Sequence, residues 1–405
     1  MSSLFGGSFS ESSMDTYTSA LKIQAETIAI RRQLHQFPEL SFQEHQTSAY
    51  IAGRLSKFGY EVSMGVGNTG VAGLLWGNLE KPCIMLRFDM DALPVAEANE
   101  LEFCSRYQGK MHACGHDAHM AIGLGVARLL AENRGQLNST IKLVFQPAEE
   151  IGQGALAMIQ AGVLENPKPD YAVGLHVWNE KPYGWVGVTA GPVMAGSDMF
   201  SLKILGKGGH GAAPHQTADP ILAASQLVIG LQSIVSRNIN PLDHAVISIG
   251  SIHAGTASNI IPSEVELSGT IRYFQPEIQA LIHRRIREVS AGIASAFGCE
   301  VEVAIVESTR PVVNNPEVTN LAEQSLSNLG QALDIDADYR TLISEDMAFF
   351  LEKIPGVFLF VGSGGQNSDL RFPHHHPRFD IQEDCMTLAI ASVCELVSRL
   401  GAIKG

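Results

Sequence analysis

Apolar positions in the first sixty residues recur with helical spacing. Ile23, Ile28, Ile30 and Leu34 share one face until Pro38 interrupts the pattern, and a second helix is expected from about Glu44 to Phe58. Short continuous apolar runs follow. Residues 70–76, 83–88, 140–145 and 171–176 read as strands. Between them lie a helix beginning after His119, carrying Met120, Ile122, Leu124, Val126, Leu129 and Leu130, and another over 154–162. Apolar strands alternating with helices predict an α/β fold with a mostly parallel sheet covered on both faces.

The pattern changes near Gly196. Phe200–Leu205 alternates like a strand with one wet face. A long helix over 219–236, strands at 245–249 and 265–272, a second long helix over 276–297 and a strand at 300–305 follow. That order, β-α-β-β-α-β, is the ferredoxin-like split arrangement. The apolar run 357–361 then resumes the first sheet. The expected organisation is a discontinuous α/β domain, 15–193 and 308–405, interrupted by an inserted domain, 194–307. Residues 1–14, rich in Ser and Gly and without an apolar core, read as a disordered leader rather than a signal peptide.

Length supports this division, because 405 residues exceed what one compact core holds. The net charge of −14 argues against nucleic acid or an anionic membrane as the main partner. No apolar run reaches the roughly 18–20 residues of a membrane span. The six cysteines, Cys83, Cys104, Cys114, Cys299, Cys385 and Cys394, follow no disulfide spacing, and a reduced cytoplasm suits them. All but Cys114 read as small buried apolar side chains.

Candidate chemistry concentrates in Met-His-Ala-Cys-Gly-His-Asp-Ala-His, 111–119, where a thiol and three imidazoles fall in one turn before a helix. In an open α/β sheet, ligands bind beyond the carboxyl ends of the strands. Cys114 and His116, the pair Glu149-Glu150, His176 and the run His374-His375-His376 all share that address. Cys114, His116, one glutamate, His176 and one C-terminal histidine make five donors. A single catalytic zinc takes about three. If the thiolate bridges two ions, it counts twice and each ion has three protein bonds, a dinuclear hydrolytic arrangement. The other glutamate of the pair then suits a general base. The residues alone do not say which glutamate does which job.

These motifs resemble the aminoacylase, hippurate hydrolase and auxin–amino acid conjugate hydrolase family of dinuclear metallopeptidases. The likeness runs from about Arg31 to Phe379. It is carried by Arg87-Phe-Asp-Met-Asp-Ala-Leu-Pro94, the 111–119 motif, Phe145-Gln-Pro-Ala-Glu-Glu150, Gly174-Leu-His-Val177, Gly208-Gly-His-Gly-Ala-Ala-Pro214, Asn259-Ile-Ile-Pro262, Ser344-Glu-Asp346 and His375-His-Pro-Arg-Phe379. The resemblance implies Cys114, His116, Glu150, His176 and His375 as metal ligands and Glu149 as the base. It implies His210 as the oxyanion's partner, Asn259 and Arg272 as contacts to the substrate's carboxylate end, and the insert as a lid through which a homodimer forms. Two divalent ions per chain are implied, zinc or manganese first, cobalt or nickel as alternatives.

The chain departs from more distant carboxypeptidase and desuccinylase relatives in one place. They carry a metal-binding histidine where Arg87 stands. His116 is expected to replace it, with Asp89 fixing the His116 ring from behind. His112, His119 and His215 are read as polar neighbours only. The activity so implied is hydrolysis of the amide of N-acyl-L-amino acids. A dipeptidase or carboxypeptidase, or an auxin-type conjugate hydrolase, would use the same site, and a binding protein without catalysis is the alternative outside enzymes.

Overall fold

In a computed structural model, residues 15–365 and 371–403 are described, so the expected leader lies outside them. The chain divides into two compact units. The first comprises Met1–Gly191, Asn314–Tyr339 and Phe350–Gly405, the second Pro192–Val313 and Arg340–Phe349.

The first unit opens with helices α1 (Thr16–Gln36) and α2 (His45–Lys57), then strands β1 (Glu61–Val66), β2 (Gly70–Leu75) and β3 (Cys83–Asp89). Helix α3 (His116–Glu132), β4 (Thr140–Gln146), α4 (Gly154–Gln160), β5 (Tyr171–Pro182) and β6 (Trp185–Gly187) follow. The second unit supplies β7 (Gly196–Leu205), α5 (Pro220–Asn238), β8 (Ala245–Ala254), β9 (Glu264–Tyr273), α6 (Pro276–Ala296) and β10 (Glu300–Thr309). The chain returns to the first unit with α7 (Pro316–Ser327), β11 (Asp334–Asp336), β12 (Gly356–Gly364) and α8 (Cys385–Gly401).

The eight-stranded sheet has the order β1-β2-β4-β3-β5-β12-β6-β11. The expected parallel pairing holds for part of it: β4, β3, β5 and β12 run parallel, and β11 runs parallel to β6. β1 against β2, β2 against β4 and β12 against β6 are antiparallel, so the sheet is mixed. The short connection from β1 to β2 explains one flank, since a hairpin joins antiparallel neighbours and a parallel pair needs a crossover. The centre is buried on both faces, every residue of β3, β4 and β12 being covered. Helix α3 lies close on it: a Cβ added at Gly123 would sit 2.7 Å from the Phe88 ring. Phe88 and Phe145 pack together there with centroids 5.6 Å apart.

The second unit holds an antiparallel sheet, β8-β9-β7-β10. Its chain order, β7-α5-β8-β9-α6-β10, is the one read from the hydrophobic pattern. Alternate residues of β7, Phe200, Leu202 and Ile204, pack against α5 and α6 residues such as Leu227, Leu231, Ile282 and Ile286. Asp219 caps α5 by accepting the amides of Ile221 and Leu222, with Pro220 at its first position. Residues 340–349 also belong to this unit, through bonds such as Ala195 N–H to the Ile343 carbonyl, 3.1 Å. No helix among the described residues is long and apolar enough to cross a membrane.

Candidate metal centre

Helix α3 begins at His116, not after His119, so the expected turn is partly the helix's own first turn. Gly115 caps it in a left-handed conformation, φ 91°, which glycine adopts without a Cβ penalty. Cys114 and His116 are thereby placed on the two sides of that cap. His176 lies within β5 rather than at its end, but just past Gly174, the last residue paired with β3. The sheet therefore opens on that side of His176. Glu149 and Glu150 follow β4 on a turn where Ala148 is left-handed, φ 53°.

Five predicted donors converge as two triads that share one thiol. Cys114, His116 and His176 form one group and Cys114, Glu150 and His375 the other, the ligating atoms of each lying within 4.8 Å of one another. Cys114 Sγ is 3.5 Å from His176 Nε2, and His375 Nε2 is 3.3 Å from Glu150 Oε2. His116 Nε2 lies 3.8 Å from Glu150 Oε1 and 4.0 Å from Glu149 Oε2.

Backbone bonds fix which ring nitrogen faces inward. His116 Nδ1–H donates to the Asp91 carbonyl, 2.8 Å, and His176 Nδ1–H to the Val177 carbonyl, 2.7 Å. That leaves each Nε2 with a lone pair for a cation. His116 Nε2 and Glu150 Oε1 are buried without a hydrogen-bond partner among the described residues. A buried polar atom normally has one, so these orphans fit a metal ion.

The electrostatics agree. Burial disfavours a charge on His116, yet Asp89, Asp91 and Glu150 hold its pKa up to about 10. Burial, with Glu150 and Glu149 beside it, pushes the Cys114 thiol well above its ordinary range. The same negative surroundings favour a cation, and binding one at Cys114 releases the thiol proton.

Asp89 differs from expectation. It does not fix the His116 ring, which the Asp91 carbonyl holds. Asp89 is 3.8 Å from His116 Nε2, and its own bonds go to Arg87, 2.7 Å, and His119 Nδ1–H, 2.5 Å. His119 Nε2 in turn accepts the Val177 N–H, 2.9 Å, so both its nitrogens are engaged. His112 is buried and neutral, burial pushing it down to about 4.

The three C-terminal histidines face different ways. His374 Nε2–H donates to the Val177 carbonyl, 3.0 Å, and His376 stacks on Phe372 with centroids 4.7 Å apart. His375 adopts a left-handed conformation, φ 68°, and its N–H bonds to the Ala113 carbonyl, 2.8 Å. That pins His375 beside the Cys114 segment.

His210, Asn259 and Arg272 belong to the second unit. His210 pairs with Ile260 in a two-stranded arch, and Gly211 N–H bonds to the Asn259 carbonyl, 2.8 Å, so those two are neighbours. His210 is exposed, its Nδ1 accepting the Ala212 N–H at 3.0 Å. Arg272 stands on β9, half-buried. Its Nη1 donates to Ser197, Thr270 and the Ile271 carbonyl. Among the described residues no carboxylate forms an ion pair with it.

Sequence reasoning missed Asp91 and Glu44. Both are buried, and both accept main-chain N–H groups of the Ala148–Glu150 turn. The available signals were the second acid of Arg87-Phe-Asp-Met-Asp91 and an acid beside a helix start.

Peptidase family M20/M25/M40 matches residues 85–399, and the chain belongs to that family of metallo-hydrolases. It is 41% identical over 371 residues to a thermostable carboxypeptidase 2 of Saccharolobus solfataricus, covering 91% of this chain and 93% of that one. It is 40% identical over 378 residues to an N-acetyl-L-cysteine deacetylase of Bacillus subtilis, covering 93% and 89%. A crystal structure of a dinuclear metal-binding M20 peptidase from Bacillus subtilis superposes with a TM-score of 0.83 at 36% identity, over 94% of this chain and 98% of that one.

Proposed function

We propose that the protein hydrolyses the amide bond of N-acyl-L-amino acids with two divalent ions, zinc or manganese, held by Cys114, His116, Glu150, His176 and His375. The observation that carries this reading is the pair of donor triads sharing Cys114, with a second carboxylate, Glu149, 4.0 Å from His116 Nε2. The deacetylase likeness supports the substrate class. When bound, the ions supply a water of lowered pKa and a Lewis acid for the substrate carbonyl.

The chain's own residues do the rest. Glu149 takes a proton from the attacking water as its oxygen bonds to the amide carbon. His210 donates to the developing oxyanion. Glu149 then passes the proton to the leaving nitrogen as the C–N bond breaks, giving a carboxylic acid and a free amino acid. Arg272 holds the amino acid's carboxylate, which suits a guanidinium that forms no ion pair among the described residues, and Asn259 adds a polar contact. Asp89 acts from behind the ligands, engaging Arg87 and His119.

The second unit serves as a ferredoxin-like lid and as the interface of a homodimer. Its β-α-β-β-α-β order and the exposed apolar residues Ile221, Leu222 and Ile229 of α5 support that role. Six unpaired thiols support a cytoplasmic setting.

The carboxypeptidase likeness favours a second reading, in which the acyl group is itself a peptide. One panel separates the two: acetyl, benzoyl and indole-acetyl amino acids beside dipeptides and blocked peptides, with bound metal counted. Acyl-amino acids are expected to turn over fastest and chelation to abolish turnover. Faster peptide cleavage would establish the second reading, and no turnover with two ions bound would defeat both.

A further inference from the structure

Three consecutive amides of the base-bearing turn are captured by two buried acids. Ala148 N–H donates to Glu44 Oε1 at 3.0 Å, Glu149 N–H to Asp91 Oδ1 at 3.1 Å and Glu150 N–H to Asp91 Oδ2 at 3.1 Å. Each acid is itself held. Glu44 accepts the Thr69 hydroxyl at 2.5 Å, and Asp91 accepts the Ser41 hydroxyl at 2.7 Å. Glu44 is fully buried and Asp91 nearly so. Both lie in the first unit, on segments distant in sequence from the turn. The turn needs such support because Ala148, a non-glycine residue, is left-handed there. Asp91 has a second contact, since its carbonyl orients the His116 ring.

From this arrangement we infer that Asp91 and Glu44 are positioning residues, a clamp that aims Glu149 at the attacking water while Glu150 faces the metal. The inference rests on the proposed role of Glu149. Adjacent side chains on a free turn would exchange directions as it flexed. With three amides fixed to two acids, the turn keeps one conformation, and the base and the ligand cannot trade places. The chemistry of the acids matters. Both Asp91 oxygens face N–H donors, so an amide in its place turns an NH2 toward one of them. Glu44 faces one N–H and one hydroxyl, and a glutamine there satisfies both.

The test is a set of variants of the full chain, loaded with metal. Asp91→Asn is expected to lower kcat roughly 10–100-fold, leaving KM within about twofold and two ions bound. Glu44→Gln is expected to keep kcat within about threefold, whereas Glu44→Ala falls about tenfold. In a Glu149→Gln background, Asp91→Asn should cost nothing further, because the aim of a missing base is irrelevant. An undiminished kcat in folded Asp91→Asn, a loss that tracks lost metal, or losses that multiply with Glu149→Gln would each overturn the clamp. If Asp91→Asn does not fold, the Glu44→Ala and Glu44→Gln pair decides by the same cycle. Full activity of Glu149→Gln alone would instead overturn the assignment of the base, and the Asp91→Asn loss would then be judged by bound metal, a complement of two ions overturning the clamp as well.

Discussion

The two sheets use similar residues in opposite ways. In the first unit β3, β4 and β12 are covered along their whole length, and a polar side chain there is conspicuous. In the second, β9 begins by alternating exposed and buried positions and β10 alternates exposed with half-buried ones, and polar residues occur at nearly every second place. A strand buried on both faces can carry chemistry only where its cover ends. Asp89 and Gln146 end their strands, and His176 lies just past the β3 pairing. A half-wet sheet gives no such cue, so Arg272 looks like any outward-facing residue of β9.

The contrast can be broken most directly at the end of a buried strand. Glu149→Gln is expected to lower kcat roughly 10²–10⁴-fold while two ions remain bound, read by amide hydrolysis beside metal analysis. Near-parental turnover would remove the base from the buried sheet's edge.

The next effect concerns the covers themselves. Leu143→Ala, in the middle of fully buried β4, is expected to destabilise the first unit by about 3 kcal/mol. Met199→Ala, on the exposed face of β7, should change stability by less than about 0.5 kcal/mol. Hydrogen exchange resolved by unit would compare them, and equal losses would erase the distinction between the sheets.

Arg272→Lys sharpens the other side. A lysine keeps the charge but loses the fork, so KM should rise about tenfold with kcat nearly unchanged. A fall in kcat alone would place Arg272 in the chemical step.

The smallest effect is a pH dependence. Burial disfavours charge on His35, but Asp117 and Glu97 bond to it and raise its pKa to about 9. The protonated form is therefore favoured in the fold. Its stabilisation is complete below the ordinary value near 6.5 and is lost as pH rises through about 9. Melting temperature should decline across that window, and His35→Gln should flatten the decline. An unchanged slope in the variant would assign it to another group.

What the sequence revealed follows from the same contrast. Central strands were readable because a short, continuous apolar run between turn residues fits little besides a strand covered on both faces, and donors just beyond such runs stood out. The antiparallel flanks were not readable, since pairing direction leaves no mark on periodicity. Residues 340–349 carry no pattern that assigns them to the second unit. The partner of the His116 ring was missed because it is a carbonyl, which every residue owns. Asp91 and Glu44 were missed because they bind main-chain amides 58 and 104 positions away, contacts without any spacing rule.

One pairing has a consequence for how the protein is made. β5 lies between β3 and β12, and its register with β12 joins Ala172 to Gly356, about 180 residues apart. During synthesis the long apolar edge of β5 therefore waits, unpaired, while the whole second unit emerges. An open apolar edge invites the wrong partner. His375 follows β12, so a nascent chain short of that point has four of the five donors. The triad Cys114, His116 and His176 is then already present while that of Cys114, Glu150 and His375 is incomplete, and a ribosome-stalled chain ending before β12 should be the species most dependent on chaperones.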